Sequence, residues 1–130
     1  MTSTPDILTE RDGDWYVADC RVSDIISQFS TPLFVYDRGV LQAQFDNLRA
    51  ALPESVVLYY SIKANPNPAI VSHFAGCAAG LEIASAAEYE IARNSGVAVE
   101  RILFAGPGKT AEELAYVLDR GIGELHIESS

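Results

Sequence analysis

The chain alternates between two spacings of apolar residues, one typical of β-strands and one typical of α-helices. Short runs of the strand type are LFVY at 33–36, VVLYYSI at 56–62, LEIA at 81–84, RILFA at 101–105 and ELHIE at 124–128. Apolar residues between these runs recur with helical spacing at Leu41, Phe45, Leu48 and Leu52, at Ile70, Val71 and Phe74, and at Leu114, Val117 and Leu118. From about residue 37 onward, the pattern therefore predicts strands and helices in alternation.

The first 37 residues carry a weaker pattern. Residues 1–12 are polar, and we expect them to be loose, whereas residues 15–17 follow an Asp-Gly-Asp turn and predict a short strand. A short helix, ended by Thr31 and Pro32, is predicted from the helical spacing of Val22, Ile25, Ile26 and Phe29.

Capping residues mark the helix boundaries. Asp37 is a predicted N-cap, and two S/T-x-x-E capping boxes are predicted, one from Ser85 with Glu88 and one from Thr110 with Glu113. Glycines predicted to interrupt or end elements are Gly76, Gly80, Gly96 and Gly121.

Strand–helix units that repeat every ~20–25 residues predict right-handed crossovers and a parallel sheet, hence the α/β class. A doubly wound sheet and a (β/α)8 barrel both suit this pattern. The barrel is favoured, because the turn after the strand at 56–62 is Asn-Pro-Asn-Pro rather than the glycine-rich turn of dinucleotide-binding folds. A complete barrel needs eight units in about 250 residues. We therefore expect a partial TIM barrel of about four βα units, and a fragment of a longer enzyme.

Composition narrows the choice of partners. The formal net charge of −9 repels phosphodiester backbones and anionic lipids, so we expect no nucleic-acid and no membrane partner. Cys20 and Cys77 do not form a CxxC pair, and the first ten residues lack the charged and apolar parts of a signal peptide. These features predict reduced thiols and a cytoplasmic protein.

Lys63 is the main candidate for chemistry. Strand alternation places Ser61 and Lys63 on one side and Ile62 on the other, and active sites of βα barrels lie at the carboxyl ends of strands. A lysine that is only solvated at a strand end is the alternative. A desolvated amine with a lowered pKa can form an imine with a substrate carbonyl or with the aldehyde of pyridoxal phosphate. Small Ser61, one layer below Lys63, leaves room for a planar ring.

Two acidic residues lie near Lys63 in the predicted fold. Glu88 is explained as the capping-box glutamate. Glu82 lies inside a strand between Leu81 and Ile83 and needs a partner, and Lys63 on the adjacent strand is the predicted one.

Other motifs receive structural interpretations. The sequence at 105–110, AGPGKT, is not a P-loop, because the position of the first required glycine is Leu103. We favour a tight turn in which Lys109 pairs with a nearby acid, and an anion-binding nest is the alternative. His73 and Cys77 are four residues apart but have no further ligands, so no metal site is expected. His126 is expected in the core or at a strand end.

The same segments resemble a known family. TPLFVYD at 31–37, YSIKANPNPAI at 60–70, GLEIASAAEYEIA at 80–92, RILFAGPGKTAEEL at 101–114 and GIGELHIES at 121–129 resemble the N-terminal half of the fold-type III pyridoxal-phosphate decarboxylases, which act on diaminopimelate, ornithine or arginine. Their N-terminal domain is an alanine racemase-like barrel. The lysine segment is the most specific part of the resemblance.

The resemblance implies a cofactor and a site. Lys63 matches the lysine that binds pyridoxal phosphate covalently, and Glu82 matches a position where family members carry an aspartate. With Ser61, these residues are the expected cofactor contacts. Residues 1–37 would be a lead-in whose strand pairs with a C-terminal β domain, and residues 38–130 would form the first half of the pyridoxal-phosphate barrel.

The resemblance also implies a function. It predicts decarboxylation of an amino acid, most similar to diaminopimelate decarboxylase, by an enzyme that is a homodimer in its full-length form. The Gly-Pro-Gly-Lys turn at 106–109 departs from the diaminopimelate enzymes and is similar to relatives that act on carrier-linked amino acids, so the substrate is free or carrier-linked. We expect little activity from half a barrel alone. A non-catalytic pyridoxal-phosphate homeostasis protein or a racemase-like barrel is the alternative.

Overall fold

A computed structural model describes residues 7–128 of the chain. Two compact units divide it, Met1–Pro53 and Glu54–Ser130. The division between residues 37 and 38 that the sequence suggested stays a prediction.

The first unit contains a small antiparallel sheet, of which the sequence pattern predicted only the strand at residues 15–17. Its strands, in the order β1-β2-β3, are β1 (Leu8–Arg11), β2 (Asp14–Val17) and β3 (Cys20–Arg21). Asp12 and Gly13 join β1 to β2 with φ angles of 54° and 82°, as in the two-residue hairpin turns that Asp-Gly favours. The expectation of a loose segment was therefore wrong for residues 8–11, and residues 1–6 lie outside the described range.

Two helices complete this unit, α1 (Val22–Phe29) and α2 (Arg38–Ala51). Both helices were predicted, and the Asp37 cap is confirmed: its Oδ1 accepts hydrogen bonds from the backbone N–H of Gly39 at 2.6 Å and of Val40 at 3.1 Å.

The structure assigns residues 33–36, where a strand was expected, to neither strand nor helix. The expected pairing of this segment with a C-terminal β domain stays a prediction. A strand needs a hydrogen-bonded neighbour, and none of the described residues pairs with this segment. The side chain of Phe34 is 90% exposed, so this apolar run is not buried in the way that the pattern implied.

The second unit is a four-stranded parallel sheet with helices between its strands, as predicted. Its strand order is β4-β5-β6-β7, and each strand pairs with the next in the chain. The strands are β4 (Tyr59–Ser61), β5 (Gly80–Ile83), β6 (Ile102–Phe104) and β7 (Glu124–Leu125), and the connecting helices are α3 (Pro68–Cys77), α4 (Ala86–Asn94) and α5 (Ala111–Arg120). The strands are shorter than the apolar runs predicted.

One side of this sheet carries the hydrophobic core. Leu81, Ile83, Ile102 and Phe104 are buried on it, and Ile62 is buried with them. Residues from the helices that complete the cluster are Val71, Ala75, Tyr89, Ala92 and Val117. Successive strand residues point to opposite sides of the sheet, so the residues that alternate with these core positions face away from the core.

The two predicted capping boxes have different outcomes. Ser85 accepts a hydrogen bond from the Glu88 N–H at 3.2 Å, but the Glu88 carboxylate accepts from the Ala84 N–H at 2.7 Å instead of from Ser85, so this box is only half formed. Ala84 lies directly after β5 and one residue before the cap, so its backbone N–H is within reach of the Glu88 carboxylate. This explains the change of partner.

The box of Thr110 and Glu113 is complete. Glu113 also accepts a hydrogen bond from the Ala86 N–H at 3.1 Å, so one carboxylate serves the first turns of α4 and α5. Hydrogen bonds from the backbone N–H of Thr110 and of Ala86 hold the pKa of Glu113 below its usual range.

The glycine predictions also divide. Gly121 ends α5 and Gly96 follows α4, with φ angles of 88° and 82°. Gly76 lies inside α3 and Gly80 opens β5, so neither interrupts its element as expected.

Gly80 is required by close packing. A Cβ at this position would lie 2.3 Å from the Arg101 carbonyl oxygen and 2.4 Å from the Tyr59 ring, whereas a Cβ at Gly76 would meet nothing within 4 Å. We expect Gly80→Ala to lower the free energy of unfolding by about 1–3 kcal/mol. The matched Gly76→Ala change, in an open helical position, should raise it by up to about 1 kcal/mol. Urea unfolding of both variants checks the contrast, and equal effects would contradict it.

Candidate functional site

The candidate site begins where β4 ends. The ladder between β4 and β5 stops at the pair Ser61–Glu82, and residues 62–64 form one turn of 3₁₀ helix. The strand predicted to reach Ile62 is therefore shorter, and Lys63 lies in this turn. Ile62 is fully buried and anchors the turn in the core.

Hydrogen bonds hold the segment that follows Lys63. The Tyr60 hydroxyl donates to the Asn65 carbonyl at 3.0 Å, and the Asn65 side chain accepts from the Asn67 N–H at 3.0 Å. Asn67 in turn caps α3 by accepting from the Ala69 N–H. These supporting residues were not predicted, although Asn-Pro-Asn-Pro carries the signal, since asparagine side chains bond backbone amides two residues on.

The structure brings Ser61, Lys63 and Glu82 together. The Ser61 hydroxyl donates to Glu82 Oε1 at 3.2 Å, and the Nζ of Lys63 lies 3.8 Å from the same oxygen. The pairing of Lys63 with Glu82 across neighbouring strands is thus observed. All three residues lie on the side of the sheet opposite the hydrophobic core.

Lys63 and Glu82 differ in how far their side chains are exposed. The Lys63 side chain is 66% exposed, whereas that of Glu82 is 30% exposed. Alternation places Ala84 and Ala105, which carry only methyl groups, on the same side as Glu82 at the next level. An accessible primary amine with a carboxylate beside it and small neighbours can react with the aldehyde of a flat ligand.

A second lysine–glutamate pair closes the turn between β6 and α5. Lys109 Nζ donates to Glu128 Oε2 at 2.6 Å and to the Gly106 carbonyl at 2.5 Å, and the Gly106 N–H donates to Glu128 Oε1 at 2.5 Å. The side chain of Lys109 is only 9% exposed. The tight turn with an acidic partner is therefore confirmed. Glu128 was not foreseen as that partner, because only the parallel sheet brings the ends of β6 and β7 together.

The contacts described for the two histidines are with residues other than Lys63. His126 follows the last residue of β7, as the strand-end interpretation predicted, and its Nε2 lies 3.4 Å from a carboxylate oxygen of Glu124. His73 packs edge-on against Phe74 within α3. Among residues 7–128, no group of three His, Cys, Asp or Glu side chains is arranged to hold a metal ion.

Comparison with known proteins decides the family. Residues 38–130 match the family model described as the pyridoxal-binding domain of pyridoxal-dependent decarboxylases. This chain belongs to that family.

Named relatives support the assignment. The chain is 34% identical over 122 residues to diaminopimelate decarboxylase from Aquifex aeolicus, covering 94% of this chain and 29% of the relative. It is 35% identical over 108 residues to L-glutamyl-[BtrI acyl-carrier protein] decarboxylase from Niallia circulans, covering 83% of this chain and 25% of the relative.

A solved structure agrees with the fold. Diaminopimelate decarboxylase from M. jannaschii, crystallised with L-lysine, superposes with a TM-score of 0.82 at 27% identity, over 94% of this chain and 30% of that one. The prediction of a partial barrel of the fold-type III decarboxylases is confirmed. The chain thus spans less than a third of the length of these relatives.

The family's cofactor, pyridoxal phosphate, fits the residues of this family member. The cofactor needs an accessible amine for its aldehyde, and Lys63 presents one on a turn that is anchored by buried Ile62. The Glu82 carboxylate lies close enough to interact with the nitrogen of that Lys63 amine. No helix among residues 7–128 has both the length and the hydropathy needed to cross a membrane.

The Lys109–Glu128 pair predicts a measurable pH response. The hydrogen bond from Lys109 first, and that from the Gly106 N–H second, hold the pKa of Glu128 below its usual range. Because the folded-state pKa is lowered, stabilisation from this contact is present above the ordinary glutamate pKa of about 4.3 and is lost as the pH falls through the folded-state value. Carbon-13 NMR titration of the Glu128 carboxyl should show a midpoint below that ordinary value.

Lys109→Met should move the Glu128 midpoint upward, while Lys109→Arg, which keeps the charge, should move it less. An unchanged midpoint in Lys109→Met would contradict the assignment of the contact.

Proposed function

We propose that the protein is a pyridoxal-phosphate-dependent amino acid decarboxylase in which Lys63 binds the cofactor covalently and Glu82 is the acidic group beside that bond. The observation that carries the proposal is the exposed Nζ of Lys63, 3.8 Å from Glu82 Oε1, at the carboxyl end of parallel strands. Membership of a pyridoxal-binding family supports the choice of ligand.

When bound, pyridoxal phosphate acts as an electron sink for the carbon that loses its carboxyl group. The protein's own residues position and protonate. The Lys63 nitrogen attacks an aldehyde as the neutral amine, and the Glu82 carboxylate lies beside that nitrogen. The buried Ile62 side chain holds the turn, so the nitrogen is presented from a rigid support.

The proposed substrate is an amino acid, either free or linked to a carrier protein. The similarity to diaminopimelate decarboxylases favours a diamino acid. The similarity to a decarboxylase whose name specifies an acyl-carrier protein substrate keeps the carrier-linked class open. We further propose a homodimer of the full-length protein, located in the cytoplasm, on the basis of the family resemblance.

The lysine assignment can be tested directly, because the sequence contains only two lysines. We expect pyridoxal phosphate followed by borohydride to add a reduced cofactor to Lys63 and not to Lys109, whose side chain is closed off by Glu128. Peptide mass spectrometry locates the adduct. Lys63→Ala should reduce labelling to background, whereas Lys109→Arg should retain it at Lys63. Labelling of Lys109 instead of Lys63 would refute the assignment.

The reaction class needs a separate assay. Release of carbon dioxide by the full-length protein from diaminopimelate, lysine, ornithine, arginine and carrier-linked glutamate should reveal the preferred substrate. In Lys63→Ala the rate should fall by at least a factor of about 1,000. Each increase of about 1.4 kcal/mol in the activation barrier slows the reaction tenfold, and loss of the covalent anchor raises the barrier by several such steps. Racemisation of an amino acid without carbon dioxide release would overturn the decarboxylase proposal.

A further inference from the structure

Glu82 has two neighbours in its own row of the sheet, and they differ in kind. Its registered partner on β4 is Ser61, and its registered partner on β6 is Leu103. Leu103 is apolar and 8% exposed, so it offers the carboxylate no hydrogen bond. Only the Ser61 side of the row has a donor.

The Ser61 hydroxyl is that donor. It donates to Glu82 Oε1 at 3.2 Å, and that oxygen is the one 3.8 Å from the Nζ of Lys63. A glutamate side chain has several rotatable bonds, and fixing it costs rotamer entropy that a specific hydrogen bond must offset. The bond therefore selects the rotamer that keeps the carboxylate on the β4 side, next to the amine.

We propose that Ser61 is a positioning residue, whose hydroxyl holds the Glu82 carboxylate beside the Lys63 amine and thereby limits how fast that amine reacts with an electrophile. The proposal deepens the proposed function and rests on it for the identity of the aldehyde. It gives Ser61 a different part from the cofactor contact that the sequence suggested.

Other charged groups on the neighbouring elements are directed elsewhere. The Glu88 carboxylate accepts from the Ala84 N–H, and the registered row places Glu124 beyond Leu103. His126 lies against Glu124, and Lys109 is paired with Glu128. Glu82 is therefore the charged group that the described residues place against the Lys63 nitrogen.

The expected direction follows from the charge. The contact with the Glu82 carboxylate competes with attack on an electrophile, because the Lys63 nitrogen must leave the carboxylate to react. Removing the carboxylate's charge, or letting it swing away, should therefore make Lys63 react faster at a fixed pH. For an exposed pair at this distance the gain should be on the order of threefold.

The test measures reactivity at Lys63 at pH 8 with two reagents. Acetic anhydride in trace labelling reports the amine without any cofactor, with added N-acetyl-lysine amide as the internal reference. Pyridoxal phosphate with borohydride reports the proposed function. The variants are Ser61→Ala, Ser61→Thr, Glu82→Gln and the double variant Ser61→Ala/Glu82→Gln, and circular dichroism checks that each one folds.

We expect the acetylation rate of Lys63 to rise about threefold in Glu82→Gln and by a smaller factor in Ser61→Ala. Ser61→Thr, which keeps the hydroxyl, should resemble the unchanged protein. The double variant should match Glu82→Gln alone, because Ser61 acts through Glu82. Should Ser61→Ala not fold, the near-isosteric Ser61→Cys, a weaker donor, takes its place.

An acetylation rate in Ser61→Ala equal to that of the unchanged protein would overturn the proposal. So would a change of rate by Ser61→Ala of equal size with and without Glu82→Gln. Failure of the proposed function has a different signature: the acetylation rates change as expected, but pyridoxal phosphate leaves no adduct on Lys63.

Discussion

Parallel pairing of β4 with β5 is the constraint on which the candidate site depends. The register that sets Ser61 opposite Glu82 also ends the ladder there, so that the chain turns and presents Lys63 above the pair. That register requires Gly80 opposite Tyr59, because the Tyr59 ring and the Arg101 carbonyl fill the space of a Cβ. Close packing around Gly80, where β5 begins, thus decides which groups meet at the carboxyl ends of β4 and β5.

The two sides of the parallel sheet carry different kinds of side chains. One side is filled by apolar side chains that pack against three helices, and burial of this surface provides the main driving force for folding. The other side carries Ser61 and Glu82, which hydrogen-bond to each other. Because neighbouring strand residues alternate between the sides, Ile62 can anchor the turn in the core while Ser61 and Lys63 serve the site.

Two lysine–glutamate pairs in one acidic unit have different consequences. Lys109 is almost fully covered and makes two close polar contacts, with Glu128 and with the Gly106 carbonyl, so its charge joins a turn to the segment that follows β7. Lys63 has a longer contact with a single oxygen and stays exposed. Similar residue types therefore make a structural clasp in one place and an accessible amine in the other.

The sequence by itself determined the alternation of strands and helices, the caps at Asp37 and Thr110 and the family, and it made Lys63 the candidate for chemistry, because these depend on local spacing and on short motifs. Only the tertiary structure decided where the strands β4 to β7 stop and that Glu128 is the acid that Lys109 meets. Glu88 took Ala84 in place of Ser85, and Glu113 reached Ala86 in a different helix, because a free amide lay within reach in space. Such partners depend on distances between segments that are remote in the chain, and a linear pattern of residues does not contain those distances.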